Sequence, residues 1–446
     1  MLRGAASDGA SDTIVPMLFR FLYTLTMYLV TPVIVYRLAV RGLRYREYYA
    51  RWRERFGWFK APGFRDSIWV HAVSVGEVNA AEPLIEALMR RYAGHAFVIT
   101  TVTPTGSARV KKLFGDRVFH VYLPYDLPRS VARFLDRVKP KLAVVMETEI
   151  WPNLYMMTCA RRIPIVVANA RLSQRSLRGY GPVRPLARRA IRCASHVAAQ
   201  SHQDAERLLA LGADPARLSI AGNVKFDMPV PRGLDESAVV LRDYWGAERP
   251  VWIAASTHEG EEVPVIEAHA RVLKRFPDAL LLLAPRHPER FRPAAAACRQ
   301  YGLRTLTRSE ESVAQRDTQC FVVDTLGELL TFYAACDAAF VAGSFDPIGG
   351  HNVLEPAALG KPVLVGAHTF NFAEVTENLL RDGAAIRVAD GADLGEAVVK
   401  LFNDPQRRAA MGAAGIAAVA RERGAVDRVM QVVESVMAED FEQPTD

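Results

Sequence analysis

The 446-residue chain is poor in cysteine, and the five it has, Cys159, Cys193, Cys298, Cys320 and Cys336, are scattered and nowhere spaced C-x-x-C. An odd, unpatterned set fits a reducing compartment better than a disulfide framework and speaks against a metal–thiolate site. No D-x-D occurs. The E-x-E of Glu147 and Glu149, just after a strand, has no histidine or aspartate nearby in sequence to complete a hard-cation site. Internal repeats of solenoid period, low-complexity tracts and recognised nucleic-acid modules are also missing, which excludes repeat arrays and leaves nucleic acid without a reader. An apolar content of 50% excludes a disordered chain. What is in excess is positive charge, formally +7, and it suits anionic partners such as acidic lipid headgroups or a phosphorylated substrate.

The segment Ile14–Val40 is almost wholly apolar or aromatic, with Arg20 and Arg37 as its only charges. It is long enough to reach across a bilayer. Arg20, Pro16 and Pro32 stand against a clean span, so a helix lying in the interface, or a tilted helix with Arg20 snorkelling, stays equally open. A signal peptide is the weaker reading, since no small-residue cleavage site follows and the run exceeds the usual apolar region. Next come Arg41, Arg44, Arg46, Arg51, Arg53 and Arg55, interleaved with Tyr45, Tyr48, Tyr49, Trp52, Phe56 and Trp58. Arginine beside an apolar segment predicts the cytoplasmic face, and aromatics suit the headgroup layer. The alternative of equal weight is a basic segment whose aromatics pack on the first domain.

From Ile68 the chain alternates short apolar runs with amphipathic stretches, the βα pattern of a parallel sheet covered on both faces. Candidate strands are 68–73, 97–102, 118–122, 142–146, 163–168, 196–199 and 218–221. Between Gly222 and Pro250 the pattern lapses in a stretch rich in proline and glycine, the expected hinge. It restarts with strands at 251–255, 279–284, 320–323, 338–342, 362–365 and 384–388. The expectation is an α/β chain of two Rossmann-like, doubly wound domains: a membrane anchor with its basic flank over 1–45, a first domain over 46–228 and a second over 229–446.

Chemistry-bearing residues collect where strands end, which is where open sheets present their sites. Glu77 lies at the first strand-to-helix junction as either a general base or a first-turn glutamate favouring the helix dipole. Glu147 follows a later strand and is the better candidate of its pair for an orienting role, while Glu149 reads as a cap or a solvated group. His71, inside the first strand, reads as a satisfied core histidine. Lys225, with Arg171, Arg175 and Arg178, supplies cations, although a surface salt bridge with Asp227 would also account for Lys225. In the second half, Pro285 and Arg286 end a strand where a helix opens, a ready anion site. Gly327 and Glu328 follow another strand, at a helix start. Gly349 and Gly350 permit close backbone approach, Asn352 opens a helix, and Glu355, one turn in, could accept hydrogen bonds from a ribose diol.

The ordered motifs VSVGE, METEIWPN, NARLSQRS, GNVKFD, PRHPER, GEL and GGHNVLEPA together resemble those of the 3-deoxy-D-manno-octulosonic acid (Kdo) transferases, and the match runs from about Tyr36 to Phe372. The resemblance implies a GT-B fold whose two domains face a central cleft, and an inverting transfer of Kdo from CMP-Kdo to a tetra-acylated lipid A precursor in lipopolysaccharide assembly. It implies Glu77 as the base, Glu147 and Lys225 as groups that stabilise the transition state, and Pro285, Arg286, Leu326, Gly327, Glu328, Asn352, Val353, Leu354 and Glu355 as the CMP-binding stretches. It implies no cofactor and no metal, because CMP leaves with a single phosphate that arginine, lysine and a helix N-terminus can hold. The expected partners are CMP-Kdo, the lipid A precursor and anionic headgroups, met at the cytoplasmic face of the inner membrane. The roughly dozen polar residues before the anchor are extra to that pattern. Another GT-B sugar-nucleotide transferase or epimerase, or a non-catalytic membrane-tethered binding protein, are the competing readings.

Overall fold

The computed structural model describes residues 8–44, 46–49, 51–227, 233–311 and 313–442. The chain forms two compact units, Met1–Met228 with Arg423–Asp446, and Pro229–Glu422. In the first unit a seven-stranded, all-parallel sheet has the order β3-β2-β1-β4-β5-β6-β7. Its strands are β1 (Ser67–His71), β2 (Ala96–Thr101), β3 (Phe119–Tyr122), β4 (Pro140–Met146), β5 (Ile165–Ala170), β6 (His196–Ala199) and β7 (Leu218–Ile220). Because side chains alternate across a strand, β1 sends Ile68 and Val70 to one core and Trp69 to the other, where Trp69 meets Phe134 edge-on at 5.0 Å. Both faces are dry, which is why these strands read as continuous apolar runs.

The second unit repeats the plan with β8 (Val251–Thr257), β9 (Leu280–Pro285), β10 (Thr305–Thr307), β11 (Cys320–Val322), β12 (Ala338–Val341), β13 (Val363–Val365) and β14 (Ala385–Arg387) in the order β10-β11-β9-β8-β12-β13-β14. All thirteen expected strands form, shifted by at most two residues at their ends. The strand the pattern missed, β10, is an edge strand reading Thr-Leu-Thr, too short and polar to register as an apolar run.

Two expectations are corrected. The stretch 222–250 is not irregular throughout, since Leu234–Trp245 is a helix whose Trp245 stacks on Phe332 at 6.4 Å; residues 228–232 of the expected hinge lie outside the described residues. The second domain does not run to 446. The last helix, Ala425–Glu442, buries Ala425, Val429 and Val433 in the first unit's core beside α2 (Val75–Arg91). Asp227 fastens it, its carboxylate accepting from the backbone amides of Gly424 at 2.7 Å and Val426 at 2.6 Å. Chain order hid this, because the apolar stripe of a terminal helix does not say which core it fits.

The N-terminal segment is one helix, α1 (Asp8–Arg44), continuous past Pro32. Leu18–Leu43 is long and apolar enough to cross a membrane. It is nevertheless fastened to the first unit. The Arg20 guanidinium donates to Asn153 at 3.1 Å, Tyr23 donates to Asp126 at 2.9 Å, and Thr24 pairs with Asn153. Phe21, Leu25, Leu29, Val33 and Tyr36 of the same helix are exposed. The arginines that follow divide. Arg51 pairs with Glu54 and His120, and Arg55 is buried against Tyr122, donating to the carbonyl of Val102. Trp52 and Trp58 stay exposed, while the side chains of Arg44, Tyr45 and Arg46 lie outside the described residues.

Replacing Asp227 by alanine leaves two amides at the start of the last helix without their acceptor. The expected outcome is a loss of about 2 kcal/mol from the first unit's stability, read by denaturant titration, with faster proteolysis near residue 424 read by mass spectrometry.

Candidate active site

At the carboxyl edge of the first sheet, α2 begins with Ser74 as N-cap, and Glu77 folds back over that turn. Its carboxylate accepts from the Val73 amide at 2.8 Å and from the Ser74 hydroxyl at 3.0 Å. The first-turn reading of this residue is realised, and the capping glutamate is also a half-buried acid. Burial raises it from the ordinary carboxylate value to about 7, opposed by the Val73 hydrogen bond and reinforced by the charges of Glu147 and Glu149. The three carboxylates belong together because β1 and β4 are neighbours in the sheet. Glu147 sits just past β4 with φ of 58°, a left-handed conformation that non-glycine residues seldom adopt. Glu149 is also raised, first by burial, and accepts from the Trp151 indole at 3.0 Å.

The turn that carries Lys225 is held by a residue that pattern reading missed. Asn169, fully buried just before β5 ends and also left-handed at 56°, accepts the Val224 amide at 3.1 Å and so pins the turn Val224–Asp227. That turn packs on α2, with Val224 and Val78 in one core. Asp227 holds the last helix, as described above. Arg171, Arg175 and Arg178 are all exposed on the segment after β5. His71 is a core histidine satisfied on one side only. Its Nδ1 pairs with the Thr100 hydroxyl at 2.9 Å, whereas Nε2 has no partner among the described residues. Burial lowers it to about 4.

In the second unit, Pro285 is buried at the end of β9 and Arg286 is exposed, its amide bonded to the Thr257 carbonyl at 2.9 Å. The helix Pro288–Gln300 follows with His287 at its N-cap and no side-chain cap; Pro288 has no amide hydrogen and the Arg290 amide donates to the His287 carbonyl at 2.9 Å, so the Glu289 amide is the one the first turn can offer an anion. Asn352 caps the short helix Leu354–Ala358 by accepting the Leu354 amide at 3.1 Å and donates to Glu355 at 3.0 Å. Burial raises Glu355, while Asn352 and the Arg286 charge oppose the rise. Val353 and Leu354 are buried, which leaves their backbone, not their side chains, to meet a ligand. The loop Leu326–Glu328 is built differently: Glu328 is clamped by Arg308 at 2.7 Å and by Thr325, and Leu326 is 68% exposed.

The residue organising this edge is Glu261, which the motif reading did not single out. Fully buried, it accepts from the amides of His258 (3.1 Å), Gly343 (2.7 Å), Ser344 (3.0 Å) and Phe345 (3.0 Å). The Gly343 carbonyl accepts the Gly350 amide, and Asn371 bonds the carbonyls of Ile348 and Gly350, so the glycine pair is held from both sides. A Cβ at Gly349 would lie 2.5 Å from Asn371 and Phe370, which accounts for glycine there. Among the described residues no group of three or more histidine, cysteine or acidic side chains has the arrangement to hold a metal ion.

Comparison with known proteins places these edges in context. Residues 50–228 match the family model described as 3-deoxy-D-manno-octulosonic-acid transferase (kdotransferase), and residues 264–418 match that of glycosyl transferases group 1. The chain is 40% identical to a 3-deoxy-D-manno-octulosonic acid transferase of Haemophilus influenzae over 93% of its own length and 98% of the relative's. It is 37% identical to one from Bordetella pertussis, covering 90% and 98%. In fold it is similar to a UDP-GlcNAc 2-epimerase from Neisseria meningitidis, with a TM-score of 0.57 at 14% identity, covering 83% of this chain and 100% of that one.

Glu77 gives a stability signature independent of any ligand. With its acid raised to about 7 in the folded state, the fold binds more protons than the unfolded chain between the ordinary carboxylate value and that point. This contribution to stability is therefore lost as pH rises through the window. Relative to the native chain, Glu77→Gln should gain up to about 2 kcal/mol on going from pH 5 to pH 8, flattening above, as measured by denaturant titration at each pH.

Proposed function

Because the chain belongs to the Kdo transferase family, and is thus a glycosyltransferase that transfers Kdo, we propose that Glu77 is the general base of an inverting transfer from CMP-Kdo to a tetra-acylated lipid A precursor. The observation that carries this reading is the place of the Glu77 carboxylate, half-buried beside two other acids at the carboxyl end of β1, which raises its pKa. A base is most effective when its pKa lies near the working pH, and burial beside Glu147 and Glu149 brings Glu77 there. In this scheme Glu77 takes the proton of the acceptor hydroxyl as its oxygen attacks the anomeric carbon of Kdo. The bond to phosphate breaks on the opposite face, and its electron pair leaves with CMP. The acceptor belongs to the first unit, where Glu147 and Lys225 hold charge as it develops.

CMP-Kdo belongs to the second unit in this reading. Arg286 and the open start of the helix Pro288–Gln300 hold the single phosphate, Glu355 accepts from the ribose hydroxyls, and the backbone of 352–355 with the loop Leu326–Glu328 lines the nucleotide. One phosphate asks for less charge compensation than a diphosphate, so transfer should proceed without a metal. The exposed apolar face of α1, with Trp52 and Trp58, suits the cytoplasmic surface of the inner membrane, where the acceptor resides.

With purified protein, CMP-Kdo and lipid A precursor, product mass should report Kdo addition in the presence of chelator. Glu77→Ala should lower kcat by about 10²–10⁴-fold with an unchanged circular dichroism spectrum. The native rate should rise with pH through about 7, since only the ionised carboxylate accepts a proton. A variant that keeps full rate refutes Glu77 as base, and a titration that prefers UDP to CMP refutes the donor. For the membrane, Leu25→Glu with Leu29→Glu should weaken co-sedimentation with anionic vesicles by about tenfold or more.

A further inference from the structure

The second unit holds one polar arrangement that no family motif role accounts for. The imidazoles of His258, after β8, and His351, beyond β12, lie parallel within 3° with centroids 5.1 Å apart, and their Nε2 atoms are 2.8 Å apart. At that distance one Nε2 carries the hydrogen and the other accepts it. In the uncharged pair the donor ring then has a bare Nδ1 and the acceptor ring a protonated one. The two rings together therefore offer one donor and one acceptor at their outer atoms, and each can take the other's part by exchanging tautomers.

The fold builds this pairing deliberately. Glu261 holds the His258 amide and the Gly343 amide on one carboxylate, and Gly343 is the surface on which the second ring rests, since a Cβ there would come within 2.8 Å of His351. The charged and titratable groups facing the pair are Glu261, Asp346, Arg286 and His287, the last with its ring 5.2 Å from that of His258. Burial, then its partner His258, then Arg286 and His287, lower His351 to about 4, and burial lowers His258 as well. The resting pair is thus uncharged beside an exposed guanidinium.

We propose that His258 and His351 form a proton-accepting pair that gains one proton when the phosphate of a cytidine nucleotide binds beside Arg286, so that imidazolium joins guanidinium in holding the anion. The proposal rests on reading the second unit as the nucleotide site. Burial first, and the Arg286 charge after it, keep the empty pair neutral; the anion offsets the second of these and accepts a hydrogen bond from the newly protonated Nδ1. When the bond between Kdo and phosphate breaks, its electron pair adds a negative charge to the departing CMP, and the stored positive charge opposes it. The proton stays on the imidazoles until CMP leaves and then returns to solvent, while the proton of the acceptor hydroxyl goes separately to Glu77. Affinity is therefore strongest at low pH and declines as pH rises through the bound-state pKa of the pair.

The test is calorimetric titration of the full-length protein with the methyl phosphodiester of CMP, whose phosphate does not itself titrate near neutrality. Runs at about pH 6.5 in buffers of different ionisation enthalpy count the protons exchanged. The expected result is uptake approaching about one proton per phosphodiester and none for cytidine, which lacks the anion. His351→Asn should abolish the uptake and weaken the phosphodiester about tenfold or more, with cytidine affinity little changed. If that variant does not fold, nitrogen NMR of the histidine-labelled native protein answers the same question, since both rings should be neutral when free and share a positive charge when bound. Binding of the phosphodiester without proton uptake, or uptake that survives His351→Asn, overturns the pair while leaving the nucleotide site intact. Failure of both ligands to bind overturns the nucleotide site and the pair with it.

Discussion

A carboxylate that cannot reach water must find hydrogen-bond donors or give up its charge, and the second unit's working edge depends on how Glu261 meets that demand. Four backbone amides from two separate loops converge on it. Each of those loops would otherwise bury unsatisfied donors, at a cost of about 1–3 kcal/mol apiece, so carboxylate and loops stabilise one another. The position of the glycine pair, the seat of His351 and the backbone of His258 all follow from this one contact. The first unit uses the same device at the ends of its strands. Asp126 takes the amides of Asn153 and Leu154, Asp204 takes that of Leu172, and Asp227 takes those of Gly424 and Val426.

Where such donors are scarce, the carboxyl holds its proton more tightly instead. Glu77 receives one amide and one hydroxyl, and two further carboxylates stand close by, so burial wins and the group comes to rest near neutrality. The contrast with Glu328, which Arg308 holds below the usual carboxylate range, shows how two acids at equivalent strand-to-helix junctions are driven in opposite directions. One is held near neutrality; the other is a fixed charge that shapes a loop. Left-handed backbone at Glu147 and Asn169, on neighbouring strands, marks the same edge as one where geometry is held against local preference.

The N-terminal helix shows how a long apolar segment can be exposed along one face and still be fastened to its unit. Arg20 does not snorkel past the apolar run; it is spent on Asn153, beside the hydroxyl of Tyr23 on Asp126. Asp126 and Asn153 in turn define the start of the helix Pro152–Cys159, immediately after Glu149 and Trp151. The segment that faces outward with its leucines is thus fastened, through one buried polar cluster, a few residues from the carboxylate edge.

Strand positions, the parallel α/β class and the chemistry-bearing junctions were legible in the sequence, because continuous apolar runs are the mark of strands buried on both faces and because strand ends carry sites. The ordered motifs likewise identified the family without a structure. Other features were not legible. The partner of the last helix, the acceptor role of Glu261 inside an unremarkable acidic run, the pinning of Lys225's turn by Asn169 and the pairing of His258 with His351 across 93 residues all required coordinates. Periodicity reports which face of an element is apolar, whereas hydrogen-bond partners and shifted pKa values depend on which atoms distant segments bring within about 3 Å of one another, and only the packed chain decides that.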